Sequence, residues 1–310
     1  MEKTQVLSGQ CPHCKEQLEI PSHLKQFSCM YCGARLSPRE LITAEAPRPS
    51  DGIDGQACAA YYKAHILETI TEHLGIEKEV TASGYAPSFD CYTAANEETF
   101  RQLDAAVSVH AITMEEAVGC YLNQLEDRWA GCATKLKSKA SFQEADKFVI
   151  AIYLVPMVRK LELVSSEAFC QALHAEWMKR YPKAPFFLGT YEELSSGFHK
   201  KFLGLCYITT AICLQDGKSD DCEELTAFRA FRDGYLRSCP DGPALIQEYY
   251  DVAPGIVLHL ELASDKEQRY AAIREQYLLP CYEDIQSGKL KQCKERYTAM
   301  VRNLKQEYLS

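Results

Sequence analysis

Several features that mark common protein classes are scarce or missing in this sequence. No apolar run is long: the longest lies between Lys147 and Arg159 and contains Pro156. A membrane-spanning helix needs roughly 18 apolar residues or more, so no membrane association is expected. Positive charge is in deficit, with 34 Lys and Arg against 43 Asp and Glu and a formal net charge of −9. A protein that coats DNA or an anionic membrane would show the opposite balance. There is no glycine-rich phosphate loop, no HExxH, no GxSxG and no EF-hand loop, which removes the commonest legible catalytic and calcium-binding signatures. The opening MEKTQVLSGQ lacks the basic-then-apolar pattern of a secretory signal. A cytoplasmic location with reduced thiols is therefore expected.

What the sequence has is a globular composition and many cysteines. Of 310 residues, 46% are hydrophobic and 25% charged, which excludes a wholly disordered or collagen-like chain. Two domains are expected from the length. The 15 cysteines do not suggest a disulfide framework. Such frameworks belong to short secreted chains that cannot build a core, and an odd count leaves a thiol over.

Four cysteines are ordered: Cys11-Pro12-His13-Cys14 and Cys29-Met30-Tyr31-Cys32. Each CxxC makes a tight knuckle that aims two thiolates at one point, and two knuckles complete a tetrahedral four-sulfur shell with no open position. Between them Leu18 and Ile20 alternate with polar neighbours, as in a short strand. Cys11, Cys14, Cys29 and Cys32 are thus the expected ligands of one structural Zn2+. Residues 8–36 resemble the zinc-ribbon family, with Gly33 after the second knuckle as that family has it. Lys15 and Met30 depart from its usual glycine and proline. Residues 43–55, TAEAPRPSDGIDG, are rich in proline and glycine and read as a linker after a ribbon domain of residues 1–42.

From residue 56 to 310 the pattern is helical. Tyr62, Ile66, Ile70 and Leu74 recur at helical spacing, as do Met114, Val118, Leu122, Leu125 and Trp129. Thr113 with Glu116, Ser141 with Glu144, Thr190 with Glu193 and Ser264 with Glu267 fit capping boxes. Pro156 predicts a kink or break, and Pro254 a helix end. The fold class expected is mainly α: a small N-terminal β zinc ribbon followed by a large all-α multi-helix domain.

Within that domain, residues 199–259 carry Cys206-Tyr207-Ile208, Thr209-Thr210-Ala211, Asp220-Asp221-Cys222, Glu224-Leu225, Arg229-Ala230-Phe231-Arg232-Asp233, Tyr249-Tyr250 and Ala253-Pro254. In these pieces the segment resembles the CFI-box C-terminal domain family, with Tyr207 in place of the Phe that gives the box its name. Together with the ribbon, the architecture is similar to bacterial proteins that join a zinc ribbon to a helical region bearing such a box. The resemblance implies no established reaction. Phe202, Cys206, Thr209 and Cys213 are predicted to share a helix face. Asp220 or Asp221 is predicted to cap the next helix, and Arg229 is predicted to pair with Asp233 four residues on. Arg229 and Arg232 read as structural ion-pair partners, and Tyr249 and Tyr250 as structural or binding residues.

Two classes of function fit. The leading one is an interaction or scaffold protein whose zinc ribbon docks another protein, with no enzymatic activity expected. The alternative is a thiol-dependent enzyme or redox-responsive module centred on Cys206, with Cys222 as resolving partner. There the helix start and nearby arginines would favour the thiolate. Nucleic-acid contact through the ribbon, by Lys25, Phe27, Tyr31 and Arg35, is the weakest reading.

Overall fold

The computed structural model describes residues 6–14, 16–21, 24, 26–37, 53–133, 138–199 and 207–310. Phe202, Cys206, Lys25 and most of the linker lie outside the described residues. The chain divides into two compact units, residues 1–53 and 54–310.

The first unit is built from two small antiparallel pairs. β1 (Val6–Gln10) pairs with β2 (Gln17–Pro21), and β3 (Phe27–Ser28) pairs with β4 (Arg35–Leu36). Leu18, Ile20 and Leu36 turn inward with Cys11 and Cys29. No larger core exists among its described residues.

The second unit is helical throughout its described residues, with mainly α character overall. α1 (Gly55–His65), α2 (Glu68–Thr71), α3 (Tyr85–Ser108), α4 (Met114–Cys132), α5 (Lys139–Val149), α6 (Val155–Lys160), α7 (Ser166–Arg180) and α8 (Tyr191–His199) enclose one core. α9 (Tyr207–Gln215), α10 (Glu223–Ala230), α11 (Gly242–Leu262), α12 (Lys266–Ile273), α13 (Leu279–Gln286) and α14 (Leu290–Tyr308) enclose a second. Leu262 at the end of α11 belongs to the first core, so this helix ties the two together. Trp129, Trp177, Tyr62, Tyr85, Tyr92, Tyr121 and Tyr153 are fully buried in the first core. Their hydroxyls are served: Tyr92 donates to the Thr69 carbonyl and Tyr62 to that of Ala117. A buried phenol without such a partner would be costly. Asp146, 3% exposed, accepts from Arg128 at 2.6 Å and from the Trp129 indole at 2.7 Å.

The capping boxes at Thr113/Glu116 and Thr190/Glu193 form with both hydrogen bonds. The other two expected boxes do not. Ser138 caps α5 three residues before Ser141, and Glu144 instead pairs with Arg269 at 3.1 Å. At α12 the cap position is Asp265, whose carboxylate is drawn to Arg269. Leu74, placed on the apolar stripe of the first helix, is 70% exposed because the helix ends at His65 and the chain turns.

The prolines are accommodated rather than disruptive. Before Pro156 the helix widens into a π turn over Ile150–Leu154, and α6 continues directly. The amide missing at Pro156 would normally serve the Ile152 carbonyl, four residues back; the Tyr85 hydroxyl donates to that oxygen at 2.9 Å. Pro280 likewise follows a π turn, Arg274–Leu278. Pro254 lies inside α11 and ends nothing. Beside it, Asp251 accepts the amides of Ala82 (through its carbonyl, 2.9 Å) and Ser83 (through its carboxylate, 2.9 Å). Gly255 lets the Val80 carbonyl approach so closely that a Cβ would stand 1.8 Å from its oxygen.

Candidate metal centre and the helical segment 207–259

The two knuckles are set by backbone hydrogen bonds. Cys11 N–H donates to the Glu16 carbonyl at 2.9 Å and Cys29 N–H to that of Ala34 at 2.8 Å. Gly33, at φ 75°, makes the left-handed turn that brings its own amide back to the Cys29 carbonyl at 2.9 Å. The four thiol sulfurs of Cys11, Cys14, Cys29 and Cys32 lie within 4.8 Å of one another. Cys11 and Cys32 stand 3.7 Å apart, as do Cys14 and Cys29. Sulfurs bonded tetrahedrally to a shared ion at about 2.3 Å would stand about 3.8 Å apart, whereas a disulfide would bring two of them to about 2.05 Å. All four are free thiols, and the spacing is that of a four-sulfur metal shell.

The electrostatics tell the same story. The amides of Cys32 and Tyr31 point at the Cys29 sulfur and lower its pKa to about 7. Cys14 receives the Glu16 amide, which lowers it, but burial and the three neighbouring sulfurs outweigh that and raise it to about 12. A divalent cation bound among the four sulfurs would favour the thiolate form of all of them. His13 between the first two ligands is exposed. On the second knuckle Met30 is 74% and Tyr31 59% exposed. Arg35 is exposed, while Phe27 packs against the cysteine core.

In the helical unit the other candidates are knitted together differently from expectation. Arg229 does not reach Asp233. It binds Asp220, donating to its carbonyl at 2.8 Å and its carboxylate at 2.7 Å. Asp220 is thereby drawn off the helix start, and Asp221 instead accepts from the Ser219 hydroxyl. Cys222 occupies the cap position of α10, with no side-chain cap. Asp233 takes a two-pronged pair from Arg232, at 2.9 and 2.6 Å, and a bond from Arg237. These bonds, Arg232's first, hold its carboxyl below the usual range. Arg232, 7% exposed, also donates to the Tyr250 hydroxyl at 2.9 Å, and the Tyr249 hydroxyl accepts the Ile208 amide at the start of α9. Glu224 accepts from Lys218 at 2.8 Å and from Arg274 at 3.3 Å. Beside Arg232 the cavity lined by Phe228, Phe231, Leu245, Tyr249 and Val301 encloses only about 30 Å³, room for little more than water.

Two groupings carried no signal in the sequence. Cys213, at the end of α9, is buried in the core against which Cys222 packs, while Cys206 lies outside the described residues. A cavity of about 320 Å³ is lined by Phe148, His259, Arg269, Glu77 and Glu307. In it His259 stacks on Phe148 with centroids 3.6 Å apart, and its Nε2 is buried without a partner. Burial lowers the His259 pKa to about 3, against the weaker pull of the Glu77 carbonyl. Both groupings join residues from separate helices, so no local spacing marks them.

No protein family, curated protein or solved structure matches the chain.

Proposed function

We infer that the protein binds one Zn2+ at Cys11, Cys14, Cys29 and Cys32 and acts as an interaction or scaffold protein whose ribbon docks another protein. The observation that carries this reading is the cluster of four sulfurs within 4.8 Å of one another, two pairs of them 3.7 Å apart. A shell of four thiolates leaves no position for a substrate or an activated water, so the metal's role is to hold the fold. The resemblance of residues 8–36 to zinc ribbons supports zinc as the ion. The exposed Met30 and Tyr31 support a protein partner, because they present apolar surface at the tip of a rigid knuckle. The first 42 residues carry five basic and four acidic side chains, too balanced a charge to drive nucleic-acid binding. In the CFI-box-like segment the arginines and acids bind one another, which supports a structural part for them.

The test is affinity capture from the native host with full-length protein, beside Met30→Ser/Tyr31→Ser and Cys11→Ser/Cys29→Ser chains. A partner retained by the native chain and lost from both variants is the expected result. A partner held equally by all three would place the docking surface on the helical unit and overturn the ribbon's role.

A further inference from the structure

We propose that Cys213 and Cys222 form a reversible modification site: a dithiol that small disulfides convert to an internal disulfide, clamping the end of α9 to the start of α10. Nothing in the metal centre requires this pair. α9 ends where Gly217, at φ 71°, turns the chain left-handed, with Lys218 N–H bonded to the Cys213 carbonyl and Gly217 N–H to that of Leu214. This double closure folds the chain back on the last turn of the helix. The next turn, with Cys222 N–H on the Ser219 carbonyl, then delivers Cys222 to the cap position of α10. There Cys222 packs against the same core in which Cys213 is buried, and Cys213 Sγ reaches across the turn to Glu224, two residues past Cys222 in the first turn of α10.

The pair has an exposed and a hidden member. Cys222 is half-buried, so its sulfur is open to a small disulfide in solution. Cys213 is 1% exposed, and burial raises its thiol to about 12. Its Sγ–H donates to Glu224 Oε2 at 3.7 Å. Glu224 is held in place by Lys218 and Arg274, and Arg274 is itself fixed by Asp216 at 2.7 Å. Cys222 thiolate attacks a low-molecular-weight disulfide RSSR, forming a mixed disulfide and releasing one RSH with the proton that Cys222 gave up. Cys213 passes its proton to Glu224, its sulfur attacks that of Cys222, and the second RS⁻ leaves, taking up that proton. The two cysteines are oxidised by two electrons, and RSSR is reduced to two RSH.

The pair Cys281 and Cys293 is a built-in control. Both are 0% exposed, with Cys281 Sγ 4.0 Å from the Cys293 carbonyl, and neither offers a thiol to an oxidant in solution.

The experiment treats the full zinc-loaded chain with oxidised glutathione and maps peptides without reduction. Lys218 lies between the two cysteines, so trypsin separates residues 202–218 from 219–229. Expected is a disulfide joining these peptides in the native chain and in Cys206→Ser, with Cys281 and Cys293 still reduced. In Cys213→Ser the joint should vanish and glutathione should remain on Cys222. In Glu224→Gln that mixed disulfide should accumulate before the joint forms. The proposal is overturned if the joint survives Cys213→Ser but not Cys206→Ser, if glutathione stays on Cys222 of the native chain, or if both cysteines remain unmodified. It is also overturned if Cys281 and Cys293 cross-link as fast, since the reaction would then report unfolding.

Discussion

At the scale of single residues, His259 is the side chain whose burial has the clearest consequence. Its ring lies flat on Phe148, its Nε2 has no partner, and its pKa falls from the usual 6.5 to about 3. Glu77, Glu144, Arg269, Glu307 and Tyr308 line the same cavity. The direction of the pH effect follows. Between pH 6.5 and about 3 the unfolded chain takes up a proton at this histidine that the folded chain refuses. Stability from His259 is therefore fully present above 6.5 and drains away as pH falls toward 3, with a slope of at most about 1.4 kcal/mol per pH unit. His259→Phe keeps a ring against Phe148 and removes the proton site. Denaturant titrations from pH 7 to 4 should show a shallower loss of stability in the variant than in the native chain. Equal slopes would mean that the carboxylates around the cavity carry the acid sensitivity instead.

At the scale of elements, the clearest dependence lies where α11 meets the segment 80–83. The backbone of that segment crosses the helix at Gly255, and a methyl group there would stand 1.8 Å from the Val80 oxygen. Neither partner is a flexible side chain, so relief requires the helix or the segment to move. Gly255→Ala should cost about 3 kcal/mol, the upper range for overpacking a tight contact, read as a lowered denaturation midpoint. A control such as Gly119→Ala, where a Cβ meets nothing within 4 Å, should leave the midpoint unchanged or raised. How much of this the sequence announces depends on the range of the interaction. Thr113 and Glu116 satisfy each other's backbone three residues apart, and the pattern alone reveals them. Ser141 and Glu144 have the same spacing, but Arg269, 125 residues away from Glu144, takes the carboxylate. Pro156 reads locally as a break, yet a hydroxyl from Tyr85 makes good its missing bond. Arg229 and Asp233 have helical pairing geometry, but Asp220 in the preceding turn offers Arg229 both a carbonyl and a carboxylate. The four cysteines of the first unit are legible because a knuckle is a local object. The pairing of Cys222 with Cys213 is not, because it depends on how the turn between two helices closes.

At the scale of the whole molecule, the two units stand on different sources of stability. The helical unit buries two aromatic- and aliphatic-rich cores. Among its described residues the first unit buries Leu18, Ile20 and Leu36 around two cysteines and little else, and below about 40 residues such a core does not hold a fold without metal or cross-links. With the proposed ion bound, the energy that orders this unit would be metal-binding energy, and removing the ion would remove the fold. A strong chelator should release one Zn2+ per chain, collapse the amide NMR signals of residues 6–37 into the narrow unfolded range, and leave the far-UV helical signal and the melting of the helical unit almost unchanged. Lowering the pH should do the same, because protons compete with the ion for four thiolates. Cys29→Ser should mimic chelation at neutral pH. Loss of most of the helical signal on chelation would contradict this division, since it would make the metal a support of the helical unit rather than of the ribbon alone.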